Sequence, residues 1–179
     1  MSTNNEAPTP ASEGATKNHS AGSIPHPARD SKPDLLNEAL EGLRRGWDFT
    51  PLNGKKPILK GWQNRPRATG ADLIRWVEAG HNLGLLTGKA SGLIVIDIDE
   101  QKGGRRPDGL PDTVEVLTGG GGRHLYYQTP EGVKNSVGEL AAHVDVRSDG
   151  GQVVFVGSVH PDTGLPYRWA PGCSPDEGV

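Results

Sequence analysis

The sequence predicts an α+β domain, and three observations carry that prediction. Two stretches repeat apolar residues at helical spacing: Leu35, Leu36, Ala39, Leu40 and Leu43, then Leu73, Ile74, Trp76 and Val77. Leu93–Glu100 reads as one β-strand, apolar and rich in β-branched residues. Beyond it, short apolar runs bounded by glycine read as further strands and turns.

Composition sets the outer limits. A length of 179 residues suits one domain of ordinary size, but 33% hydrophobic residues is low, and 26 Gly with 15 Pro is high. Much of that bias sits at the two ends. Residues 1–30 are expected to be disordered, since they hold almost no large apolar side chain besides Ile24. His19 and His26 fall there with nothing to mark them as ligands. Residues 31–170 are expected to form the domain, and 171–179 a tail or linker. The net charge of −3 argues against wholesale nucleic-acid binding, although an average hides patches. One cysteine, Cys173, excludes an intramolecular disulfide and a cysteine-built zinc finger, and fits a reducing cytosol. No run of about 20 apolar residues is present, and the N-terminus lacks an apolar signal core. The expectation is a cytoplasmic protein with no membrane contact.

The first helix is expected over Lys32–Arg45. Ser31 would cap it, with Asp34 three residues on, Pro33 in the first turn and Gly46 as the stop. Trp47–Leu52 reads as a short strand ended by a turn at Asn53-Gly54. Between Arg44 and Ala71 seven cations stand against Asp48 alone, a local net of +6. That stretch is either a solvated loop or a phosphate-facing surface, with Trp62 available for base stacking. Thr69 should cap the second helix, with Asp72 at its third position and Gly80 at its end. Asn82–Thr87 then reads as a strand running into Gly88.

In Leu93–Glu100 the side chains alternate, so Val95, Asp97 and Asp99 share one face. At a separation of about 5 Å and an effective dielectric near 20, two carboxylates repel by roughly 3 kcal/mol. A divalent cation would reverse the sign; otherwise the strand simply ends in solvent there. After a polar loop with no clear helix, Thr113–Leu117 reads as a strand. Gly119–Gly122 then leads into Arg123-His124-Leu125-Tyr126-Tyr127. Glycines admit close backbone approach, and their amides can cradle phosphate. No Gly-Lys-Ser/Thr follows, and a strand rather than a helix comes next, so neither a P-loop nor a dinucleotide fingerprint is present. His124 and Tyr126 share one face. A strand histidine is commonly structural, but this one directly follows the glycines and Arg123, which points to an anion. In His143–Arg147, His143, Asp145 and Arg147 share a face. Asp149-Gly150-Gly151 signals a turn into Gln152–Val156, expected to close an antiparallel hairpin. Asp145 is the third carboxylate that a site on Asp97 and Asp99 would need. Ser158, His160, Tyr167 and Trp169 lie beyond, on a final loop and strand.

Together these pieces resemble the N-terminal domain of bifunctional primase–polymerases, within the archaeo-eukaryotic primase superfamily. The resemblance covers Leu35 to Trp169. It rests on Gly46-Trp47, Gly54-Lys55-Lys56-Pro57, Gly61-Trp62, Asn82–Gly88, Ile96-Asp97-Ile98-Asp99, Gly121–Tyr126 and Asp145–Gly151, in that order and spacing. It implies a two-part primase-type fold with an RRM-like catalytic sheet. It implies an enzyme that adds nucleoside triphosphates to a primer on single-stranded or primed DNA, in replication of a phage, plasmid or other mobile element. Asp97, Asp99 and Asp145 would hold two divalent cations, Mg²⁺ or Mn²⁺. His124 would meet the nucleotide's phosphates, helped by Arg123 and the Gly121 and Gly122 backbone. Arg147 and Lys56 would be further phosphate or template contacts, and the basic stretch a DNA-facing surface. Where the superfamily often has Ser two residues before the His, this chain has Gly122. Relatives commonly continue into a helicase, which makes a replicative helicase an expected partner. A domain truncated at its C-terminal end is therefore among the expectations. The alternatives are a non-catalytic nucleic-acid-binding remnant and a metal-dependent nuclease, the last leaving the glycines and His124 without a nucleotide.

Overall fold

The computed structural model describes residues 34–130 and 132–177. The segment expected to be disordered, with His19 and His26, lies outside the described residues, as does the Ser31 cap. Helix α1 spans Leu35–Arg44, and its cap is Asp34, whose carboxylate accepts the Leu36 and Asn37 amides at 3.0 and 3.3 Å. The helix therefore starts later than expected, because an aspartate bonded to those amides holds an extended backbone and closes the N-terminus itself. Helix α2, Gly70–Glu78, follows the expectation: Thr69 and Asp72 form both halves of a capping box.

Two antiparallel sheets carry the rest. The first takes β1 (Phe49–Asn53), β2 (Lys56–Pro57), β3 (Asn82–Leu86) and β9 (Gln152–Val154), in the order β2-β1-β3-β9. The second takes β4 (Leu93–Ile98), β5 (Val114–Leu117), β6 (Arg123–Gln128), β7 (Ser136–Ala141), β8 (Val144–Arg147) and β10 (Arg168–Trp169). Its order is β10-β5-β6-β4-β8-β7, which puts the Asp97 strand near the middle. The α+β class stands, with every strand pair antiparallel.

Three local expectations change. The hairpin between the Asp145 strand and Gln152–Val156 does not form. Instead the Ser148–Gly151 turn is tied to the end of β3: Thr87 donates its amide to the Gly151 carbonyl (3.1 Å) and its hydroxyl to the Ser148 carbonyl (2.6 Å). The Lys89 amide bonds Asp149 at 2.6 Å, so the chain crosses to the first sheet, and β9 pairs with β3. The hairpin partner of β8 is β7, a strand not anticipated; the turn between them holds His143 at φ 58°. Strand β4 also ends at Ile98 rather than Glu100. Asp99 caps a 3₁₀ turn over Glu100–Lys102, where no helix was expected.

One large core joins the helices, the first sheet and one face of the second: Phe49, Leu52, Leu73, Leu83, Leu85, Val95, Val116, Tyr126 and Phe155 all belong to it. The opposite face of the second sheet has a smaller cluster of Ile96, Ile98, Leu125 and Val144. The segment read as a tail begins by extending the bonding of β5. The Ala170 amide donates to the Glu115 carbonyl (2.8 Å), and the Glu115 amide to the Cys173 carbonyl (3.0 Å).

Candidate active site

The register of three strands assembles the site. Asp97 on β4 lies opposite His124 of β6 on one side and Asp145 of β8 on the other. Antiparallel partners project their side chains to the same face, so all three stand in one row. Two residues back on the same face, Val95 pairs with Tyr126 and Arg147, and Val95 is fully buried. The alternation that sends Val95 into the core brings the Asp97 side chain to the rim, where it is 32% exposed. Above the row opens a cleft of about 940 Å³, whose lining includes Asp97, Asp99, His124, Asp145 and Arg147.

Like charges directly opposite one another are destabilising, and the fold answers with cations. Arg147 reaches Asp145 at 2.7 Å and Asp97 at 3.8 Å, while the Gly138 amide donates to Asp145 at 3.1 Å. Lys102 meets Asp99 at 2.8 Å, and its hydrogen bond holds the Asp99 carboxyl below the usual carboxylate range. His124 is 4% exposed, with Nε2 3.5 Å from Asp97. Burial drives its pKa down; Asp97 opposes this, and Arg147 and Lys55 reinforce it. The ring is thus a neutral imidazole. Its Nδ1 is buried and finds no partner among the described residues, and neither does the Tyr126 hydroxyl on the same face. Burial also raises the Tyr126 pKa, so it remains a phenol.

Other expected residues are distributed differently. Gly122 lines the cleft, but a Cβ there would meet the Ile98 carbonyl at 2.3 Å, so close strand packing already demands a glycine. Gly121 turns at φ +80° and lines a smaller neighbouring pocket. Arg123 points to the other face of β6, where it pairs with Glu115 and, at 2.7 Å, with Glu100. Glu115 is buried, so Arg123 neutralises a structural carboxylate. Lys56 does not line the cleft; Lys55 does.

The basic stretch is also largely spoken for. Arg44 and Arg45 pair with Glu41, and Arg45 also with Asp176. Arg67 donates to the Trp47 carbonyl at 3.0 Å, and Arg65 lies 5.3 Å over the Trp76 ring and 3.4 Å from Asp48. Lys55, Lys56 and Lys60 alone of the seven form no ion pair or side-chain hydrogen bond among the described residues.

Among the described residues no three His, Cys, Asp or Glu side chains converge into a metal-binding group. Arg147 and Lys102 stand among the carboxylates instead. The donor chemistry nevertheless suits a hard divalent cation, since three carboxylates, Asp97, Asp99 and Asp145, line the one cleft and offer only oxygen.

Sequence reasoning missed Lys102, Lys55, His160 and Tyr167 as members of this cleft. Lys102 lies three residues after Asp99, and that spacing was a usable signal. The others arrive from distant segments and carried none.

No curated protein matches the chain. A family model described as Prim-Pol, the N-terminal domain of bifunctional DNA primase/polymerases, matches residues 39–178. That span holds every strand of both sheets and all the cleft residues, and the chain belongs to this family of primase/polymerase-type nucleotidyltransferases, whose work is on DNA templates and nucleotides.

Proposed function

We propose that the chain is a divalent-metal-dependent nucleotidyltransferase that adds nucleotides from NTP or dNTP to a primer on a DNA template. The row Asp145–Asp97–His124 across three adjacent strands, on the floor of an open cleft, carries this reading. Asp97, Asp99 and Asp145 would hold Mg²⁺ or Mn²⁺, which in such sites activates a 3′-hydroxyl and screens polyphosphate charge. Arg147 and Lys102 counter the charge of the carboxylates until then. Once relieved of that role, both can turn to phosphate oxygens without leaving the cleft. His124, neutral and fixed at one end of the row, offers a donor for a phosphate oxygen. We read the two sheets as the two parts of a primase-type fold.

The test is incorporation on a primed single-stranded template with Mn²⁺ and with Mg²⁺, beside the double variant Asp97→Ala/Asp99→Ala. Extension by the wild type and its loss in the variant are expected. Omitting the primer then separates priming from extension. A second reading, DNA binding without catalysis, is favoured by one observation: each carboxylate already has a partner in Arg147 or Lys102. Template binding with no incorporation under either metal would establish it.

A further inference from the structure

The wall of the cleft facing the carboxylates has its own construction. Asn82, at the start of β3, ties two loops together: its Nδ2 donates to the Gly54 carbonyl (2.9 Å) and the Val159 carbonyl (2.7 Å), and its Oδ1 accepts the Val159 amide (3.0 Å). Gly54 neighbours Pro161, and a Cβ there would lie in ordinary van der Waals contact with that ring at 3.5 Å. The β1–β2 turn and the loop after Phe155 are thereby held as one piece, and they bring Lys55 and His160 into the same cleft.

His160 is placed with a defined donor. Its Nδ1 accepts the Asp162 amide at 3.3 Å, so the ring proton resides on Nε2. Nε2 lies over Gly120, where a Cβ would stand 3.0 Å away and cover it. The Thr163 hydroxyl donates to the Gly119 carbonyl at 2.7 Å, locking the loop to the glycine run. Behind them Tyr167 lies between the two imidazoles, 6.2 Å from His160 and 5.9 Å from His124. Lys55 acts on both rings, as the one cation felt by His160 and as the second after Arg147 at His124; it forms no ion pair among the described residues, whereas Arg147 and Lys102 are occupied by the carboxylates. Asp162 is the acid on this wall, exposed and 4.0 Å from His160 Nδ1, on the side of the ring away from Nε2.

We propose that Lys55 and the His160 Nε2–H, beside Gly120, form an anion seat for the polyphosphate of a nucleoside triphosphate. The seat deepens the nucleotidyltransferase reading and rests on it. A free ammonium and an imidazole donor beside a side-chain-free backbone suit a compact multiply charged anion. His160 is 6% exposed, at a depth that a terminal polyphosphate reaches more readily than the continuous backbone of DNA. The glycine run thus has two uses: Gly119 and Gly122 admit neighbouring carbonyls, and Gly120 leaves the His160 donor uncovered.

The experiment titrates the full chain with dATP and dAMP in the presence of Mg²⁺, and separately with a single-stranded oligonucleotide. The variants are Lys55→Gln, whose side chain forms no ion pair or hydrogen bond among the described residues, and His160→Phe, which retains a ring against Tyr167. The wild type should bind dATP more tightly than dAMP. Each variant should lose about tenfold of the dATP affinity, as for one charge-assisted hydrogen bond, and little of the dAMP affinity. An unchanged dATP to dAMP ratio in Lys55→Gln overturns the seat and leaves the nucleotidyltransferase reading intact. Loss of oligonucleotide affinity instead of dATP affinity overturns it in favour of DNA backbone. A wild type that binds neither nucleotide overturns both readings.

Discussion

Asp48 and Asp97 adjoin the same hydrophobic core and are held in opposite ways. The Asp48 carboxylate is buried, and it accepts the Phe49 and Ala68 amides at 2.8 and 2.9 Å, with Arg65 at 3.4 Å. Its partners are mainly backbone, and together they fold the basic loop against the Trp47–Phe49 segment. The nearest polar partners of Asp97 are side chains, His124 at 3.5 Å and Arg147 at 3.8 Å. A carboxylate satisfied by amides is part of the frame, because no ligand can take those bonds without unfolding the loop. A carboxylate countered by a half-exposed guanidinium can exchange it. The difference separates a charged residue that builds the fold from one available for chemistry, and charge density along the sequence does not show it.

The comparison breaks most sharply on activity. Asp97→Asn should lower nucleotide incorporation by about a thousandfold or more, the scale of removing a charge-stabilising group from an active site. The folding midpoint should stay level or rise, since one of two opposed carboxylates is gone; normal incorporation by this variant would refute the assignment. Asp48→Ala should do the reverse. It leaves the Phe49 and Ala68 amides without that acceptor and Arg65 without its carboxylate, and should cost about 2–4 kcal/mol of stability, read by urea unfolding. A variant as stable as wild type would show that the basic loop does not depend on that carboxylate.

Salt dependence sharpens the picture of the loop itself. If its seven cations all met phosphates, single-stranded DNA binding would fall with a log–log salt slope of about −5, whereas Lys56 and Lys60 alone, with Lys55 kept for the nucleotide, give about −1.4. The shallower slope is expected, and the steeper one would mean that Arg44, Arg45, Arg65 and Arg67 abandon their internal partners on binding. The smallest effect concerns Asp99. Lys102 lowers its pKa in the folded state, so this pair lends stability above the unfolded carboxylate pKa of about 4 and loses it as pH falls through the folded value. Asp99→Asn should flatten that acid-side slope in thermal melts below about pH 4. An unchanged slope would show that the Lys102 contact contributes nothing measurable.

Legibility followed the range of each signal. The Thr69–Asp72 capping box and the apolar faces of both helices are local, and the structure reproduces them except at Ile74, which is exposed. The β7 strand was invisible because Ser136–Ala141 is a mostly exposed edge with no buried face to impose a pattern. The β8–β9 hairpin was misread because a glycine turn marks a change of direction without naming the strand that follows it. Thr87 and Lys89, some sixty residues earlier, decide that β9 joins β3. The resemblance implies a phosphate role for Arg123, yet the alternation of the strand places it on the face opposite His124, beside Glu115.

By itself the sequence determined what travels along a few residues: helix caps, the period-two faces of the strands, and the placing of Asp97, His124 and Asp145 each on a strand near its end. The tertiary structure alone decided that these three strands lie side by side in one register, that Arg147 and Lys102 counter the carboxylates, and that Asn82 carries Lys55 and His160 to the opposite wall. The reason is physical: a side chain's direction follows from its own backbone, whereas its partner depends on which distant segment the core and the hydrogen-bond ladders bring within about 3 Å.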